Sequence, residues 1–153
     1  DAWHSLHAFD HIFCGEKSGR SIGGLHFHGR YQQLESSNQI CRMNNFGSNE
    51  VIDGTVYSMG VEMKLPNSEI IRHSIKGYGL TLNASDILLS ATKAFSENHT
   101  SNNNSEHCIL TLNDGDAIYD MVFVRRSNGI RTYYPDATPD KNKPCTRAIS
   151  LNQ

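Results

Sequence analysis

"AFDHIFCGEKSGRSIGGLH", residues 8–26, carries a histidine near each end of a glycine-broken segment. His11 and His26 stand fifteen residues apart. Imidazole titrates near neutral pH, so two histidines can hold opposite protonation states, as paired acid and base work requires. Between them, "CGEKSGRSIGG" contains four glycines and no sustained apolar period, and reads as a turn or loop. The next residues add His28, giving "SIGGLHFHGR" over 21–30. On a strand, an HxH pair presents both rings on one face, as a metal chelate needs. The next acid after His28 is Glu35, with Gln32 and Gln33 filling the nearer positions. That spacing is long for an HxH-plus-acid metal motif, so a metal-dependent enzyme built on this pair stands only as an alternative. The plain alternative is two partly exposed polar side chains.

The rest of the chain bounds the answer. Its 153 residues suffice for one domain with a hydrophobic core. Hydrophobic content of 37% and charged content of 20% fit a globular protein, and no apolar run approaches a membrane span. A net charge of −2 means that any nucleic acid would bind through a local patch. The chain has no initiator Met and no signal peptide, and reads as a mature form or a domain of something longer. Cys14, Cys41, Cys108 and Cys145 form no CxxC pair, which argues against a zinc knuckle and leaves both disulfides and buried thiols open. Sequons at Asn83, Asn98 and Asn103 carry little weight in an Asn-rich chain.

Periodicity predicts an α+β protein in which antiparallel sheet follows a His-rich N-terminal lobe. Trp3, Leu6, His7 and Asp10 have the spacing of a short helix over residues 1–11. Residues 26–35 fit strand and helix equally. "VIDGTVYSMGVEMKL" and "EIIRHSIKGYGLTL" read as strands joined by the turn "LPNS". "NASDILLSATKAF" is a helix capped by Asn83 or Ser85, with Asp86 in its first turn and Ile87, Leu88, Ala91 and Phe95 on one face. "SENHTSNNNSE" reads as a mobile polar loop. "HCILTLNDG" and "DAIYDMVFVRR" form a hairpin turned at Asn113-Asp114-Gly115, and a second turn leads into "IRTYYP". The tail from Asp136 reads as irregular.

The long pattern of residues 8–26 resembles the EndoU family of uridylate-preferring endoribonucleases. The shared features are a His after Ala-Phe and an acid, an acid after a Gly, then Gly-Gly-Leu-His at the same spacing. "IRTYYPD" is similar to the family's C-terminal Thr-x-Tyr-Pro element. "SIKGYGLTLNASDILL" is similar to the family's Lys-bearing strand before a helix. Lys64, in "VEMKLP", is the rival lysine, and the distance to the helix favours Lys76. The resemblance spans residues 8–135, more loosely in the middle third. It implies an EndoU-like fold, with a helix packed on antiparallel sheets, and a single catalytic domain over 1–153.

The resemblance also implies a chemistry. His26 would be the general base and His11 the general acid. Lys76 would offset phosphorane charge, and the RNA 2′-OH would attack its own phosphate to leave a 2′,3′-cyclic phosphate. Gly23 and Gly24 would let backbone approach the phosphate. Tyr134 would stack on base or sugar, and Thr132 would orient Tyr134 or hydrogen-bond uracil. His28 reads as a bystander or supporting group. His4, His7, His73, His99 and His107 read as surface residues.

Family members place a base-reading Ser four positions after the Lys. Here that position is Leu80, with Thr81 beside it, so either the register shifts by one or uracil preference weakens. Arg125, Arg126, Arg131, Lys141, Lys143 and Arg147 crowd the C-terminal third, as phosphate ligands or as solvated charges. No metal site is expected and no cofactor required, although some members respond to Mn²⁺. The expected partners are an RNA substrate and, for a toxin, a cognate inhibitor protein. No membrane partner is expected. The expected state is a monomer, secreted or delivered to a target cell, with the cytoplasm as the alternative. The remaining readings are a metal-dependent enzyme that resembles cupins in its HxH pair, His26 and His28, and a non-catalytic RNA-binding module.

Overall fold

Both strand-rich regions form mainly antiparallel sheets in the computed structural model, which describes residues 1–43, 49–52, 55–98, 106–136 and 143–151. In the first sheet, β5 (Val56–Lys64) pairs along its length with β6 (Ile70–Gly79). Its other edge takes β3 (Ile40–Arg42) at one end and β4 (Asn49–Ile52) at the other. The hairpin closes where the predicted turn lies, with the Leu65 amide donating to the Glu69 carbonyl at 2.8 Å. The second sheet has the order β10-β7-β8-β9, with β7 (Glu106–Asn113), β8 (Ile118–Arg126), β9 (Gly129–Pro135) and β10 (Ile149–Ser150). Its β7–β8 turn is held by Asn113 and Asp114 side chains accepting from the amides of Gly115, Asp116 and Ala117.

Helix α1 (His28–Ser36) decides the open segment in favour of helix and buries Tyr31 and Leu34 against the first sheet. Helix α2 (Ala84–Glu97) starts at Asn83 with a full capping box: the Asn83 side chain accepts from the Asp86 amide, and the Asp86 carboxylate accepts from the Asn83 amide. Its buried face is Ile87, Ser90, Ala91 and Ala94, packed on the second sheet, with Leu88 and Phe95 at the margin.

Three expectations are corrected. Residues 1–11 are not one helix: His7 adopts a left-handed conformation (φ 57°), and the helical residues that follow include a π-helical turn over Asp10–Cys14. The glycine-rich loop is instead a small hairpin, β1 (Glu16–Ser18) with β2 (Ser21–Gly23), its turn carrying the left-handed Gly19. The tail is not wholly irregular. β10 pairs in parallel with β7, and a Cys108–Cys145 disulfide pins the preceding segment, while Cys14 and Cys41 are free and exposed. The Asn-rich loop expected beyond Asn98, with His99 and Asn103, lies outside the described residues, as does Lys141. Asn98 itself is buried and bonds across to Arg147.

Two hydrophobic clusters result, one between the second sheet and α2, the other between the first sheet and α1. Residues 8–26 feed both: Ala8, Ile12 and Phe13 enter the first cluster, Ile22 and Leu25 the second. Two backbone bonds tie the segment to itself, Leu25 N to His11 O at 2.8 Å and His26 N to Ile12 O at 2.7 Å. Both histidines are thereby held at the seam between the clusters.

Candidate active site

Strands β6 and β9 are edge strands of different sheets, and they face one cleft beneath the β1–β2 hairpin. The cleft has a volume of about 510 Å³ and is lined by His11, Gly23, Gly24, His26, Lys76, Thr132 and Tyr134, among others. Every residue expected at the site therefore reaches the same cavity. Lys64, the rival lysine, is exposed at the end of β5 and away from it.

The rings of His11 and His26 lie 5.5 Å apart, edge to face. Glu16 holds the first: its carboxylate oxygen lies 2.7 Å from His11 Nδ1. Such a bond fixes the ring and leaves Nε2 as the free edge. The second is stacked on Tyr134, with centroids 4.5 Å apart and planes inclined by 23°. The ordinary alternation of β9 explains this contact. Thr132 and Tyr134 share the cleft face, while Tyr133 points into the core and donates to Ser90 Oγ at 2.9 Å. The Thr132 hydroxyl is buried and, among the described residues, without a hydrogen-bond partner.

Lys76 is 4% exposed, and its ammonium donates to the Gly24 carbonyl at 2.6 Å. Burial lowers its pKa from 10.5 to about 8, against a smaller opposing pull from Glu16. His26 is held well below the usual imidazole range, first by burial and then by the nearby Lys76, His11 and His73. Its neutral form is thus favoured.

Both glycines answer to close approach, Gly24 to His11 and Gly23 to the Glu16 side chain. Gly24 has φ +63°, and a Cβ there would collide with the His11 carbonyl. A Cβ on Gly23 would sit 2.5 Å from the Glu16 carboxylate. Leu25 is also left-handed (φ 58°), an uncommon state for a branched side chain and a mark of local strain.

Other assignments separate in space. His28 opens α1 and stacks on Tyr31 at 6.2 Å, so the HxH residues diverge rather than chelate. Their separation follows from Phe27, which is extended between them before the helix begins. Among the described residues, no group of three or more His, Cys, Asp or Glu is placed to hold a metal ion. Leu80 lies in a separate groove with His28 and Tyr57, and the Thr81 hydroxyl is engaged by Asp114 and Tyr119. Neither of them lines the main cleft. Arg125 is not a phosphate ligand but a buried strut: it donates to the carbonyls of Phe95 and Asn98 and lies 3.8 Å from the Phe95 ring centroid. Arg126, Arg131, Lys143 and Arg147 are exposed.

Two lining or supporting residues escaped the sequence reading. Glu16 belongs to the motif but had no assigned role, and its pairing across the hairpin with Gly23 puts it beside His11. His73, read as a surface residue, lines the cleft and is joined to Ser21 Oγ through Nδ1 at 2.6 Å.

Two imidazoles and a buried ammonium, set between two antiparallel sheets, have the make-up of a phosphodiester-cleaving centre. Residues 5–137 match the family described as Bacterial EndoU nuclease, and the chain belongs to that family. The fold is similar to the solved structure of endoribonuclease Nsp15 encoded by Middle East Respiratory Syndrome Coronavirus, with a TM-score of 0.61 at 13% identity. The match covers 84% of this chain and 33% of that one. No curated protein matches the chain.

Proposed function

We propose that the protein is an endoribonuclease that cleaves single-stranded RNA at uridylates, leaving 2′,3′-cyclic phosphate ends. The observation that carries the reading is the approach of His11 and His26 to 5.5 Å beside a buried Lys76. In the proposed step, His26 takes the proton of the 2′-OH as the 2′-oxygen bonds to phosphorus. The bond from phosphorus to the 5′-oxygen breaks, and His11 supplies the proton that this oxygen needs. Glu16 orients His11 for that donation. Lys76 meets the charge that gathers on the non-bridging oxygens, where a pre-placed cation is most effective. The low proton affinity of His26 supports its role as base, because it stays unprotonated at neutral pH.

The Thr132 hydroxyl, unpartnered among the described residues, supports hydrogen bonding to the uracil edge, since a buried hydroxyl without a partner is costly unless a ligand completes it. Tyr134 supports the ribose or base and braces His26 from behind. Uridylate preference would rest on these two residues, because neither Leu80 nor Thr81 faces the cleft. Gly23 and Gly24 would bring backbone near the phosphate. No metal enters the proposed reaction. The disulfide supports an oxidising compartment, in line with a secreted or delivered enzyme.

The test is incubation of the protein with an oligoribonucleotide containing one uridine, in EDTA, with product ends read by mass. Fragments ending in 2′,3′-cyclic phosphate at the uridine are expected. Activity that vanishes with chelator and returns with metal would favour the metal-dependent reading, and binding without cleavage would favour the non-catalytic one.

A further inference from the structure

His73 shares the cleft with Lys76, three residues earlier on β6, yet the two-histidine reaction leaves it without a task. In a regular strand, residues three apart face opposite sides. Here Met59 pairs with Lys76 and Val61 with His73, two steps on β5 against three on β6. The extra residue is a bulge, and it brings His73 onto the face of Lys76. The two Cα atoms then stand about 6–7 Å apart along the strand, close to the span of one nucleotide of extended backbone. Ser21 engages Nδ1, which steadies the ring and leaves Nε2 as its other polar edge. Ile75, in the bulge and 62% exposed, adds an apolar ledge to the same cleft.

We infer that His73, steadied by Ser21, binds a phosphate flanking the scissile one, so that the cleft grips two consecutive phosphates of the RNA backbone. The inference rests on the RNA-cleaving reading. Burial and then the Lys76 charge lower the proton affinity of His73. An incoming phosphate offsets that field and favours the imidazolium, which then donates from Nε2. The flanking nucleoside rests on Ile75.

The test compares wild type, His73→Ala and His73→Asn on a uridine-containing dinucleoside monophosphate and on a tetranucleotide with the same scissile step. The first substrate has only the scissile phosphate. Asn keeps a polar group near Ser21 while removing the Nε2 edge, which guards against a folding artefact. The ratio of kcat/KM on the longer to the shorter substrate is expected to fall roughly tenfold in both variants, mainly through KM. The log–log salt slope for binding a 2′-deoxy tetranucleotide is expected to become shallower by about 0.7, the loss of one phosphate contact on a single strand. Equal losses on both substrates, or an unchanged ratio, overturn the inference. Failure of the wild type to cleave either substrate overturns the RNA-cleaving reading and this inference with it.

Discussion

A methyl group on Gly24 would have to share space with the His11 carbonyl, in a backbone conformation that alanine resists. Gly24→Ala is therefore expected to lose more than about 1 kcal/mol of stability in urea unfolding, and cleavage with it. Glu16→Gln weakens the restraint on His11 without crowding the cleft. It should lower kcat by about 10- to 100-fold with little change in KM, the range of a lost charge-assisted hydrogen bond. A change in KM alone would contradict that role. The pH profile follows from two displaced groups. As the proposed base, His26 is needed unprotonated, and it is held low, so the acid limb of kcat/KM is expected below the ordinary imidazole range. In the proposed reaction Lys76 is needed protonated and it loses its proton at about 8, so a further loss of activity is expected above about 8, in addition to the requirement for a protonated acid, and that further loss should be absent in Lys76→Arg. The same shift acts on stability. Between about 8 and 10.5 the unfolded chain keeps a proton that folded Lys76 has released, so this group's contribution rises with pH over that window. The stability difference, Lys76→Met minus wild type, should fall across it.

At the scale of elements, readable and unreadable features divide by range. The α2 capping box is local chemistry, and Asn83 and Asp86 announce it. Asn83→Ala should cost about 1 kcal/mol in thermal or urea unfolding. The β7–β8 turn is likewise written in Asn113-Asp114-Gly115. Residues 16–23 defeated the same logic, because glycines that read as loop markers serve close approach inside a hairpin. The bulge in β6 has no local signature at all. Regular alternation from Lys76 would put His73 on the opposite face, so nothing local marks it as a cleft residue. That His11, His26, Lys76, Thr132 and Tyr134 meet in one cleft was legible through a spaced pattern that no single element explains. Separation of His26 from His28 by the start of α1 predicts unequal variants. His26→Ala should lower cleavage by about 10²–10⁴-fold, whereas His28→Ala should keep most of it.

Across the whole molecule, residues 8–26 join two hydrophobic clusters, and the histidines sit where the clusters meet. The geometry of the cleft is thereby tied to the packing of both halves. The Cys108–Cys145 bridge lies on β7, two strands from β9 and the cleft. Its sequence separation of 37 residues gives a chain-entropy contribution of about 4 kcal/mol. Replacing both cysteines by serine should therefore lower Tm while retaining activity well below the melting range. The central claim is that the two histidines and Lys76 direct the RNA's own 2′-OH against its phosphate. The most direct measurement is cleavage, in EDTA, of two oligonucleotides that differ only in a single 2′-deoxy substitution at the scissile uridine. The all-ribo strand should yield a 2′,3′-cyclic phosphate end, and the substituted strand should stay intact at that position. Cutting of the deoxy-substituted strand at the same bond would contradict the mechanism.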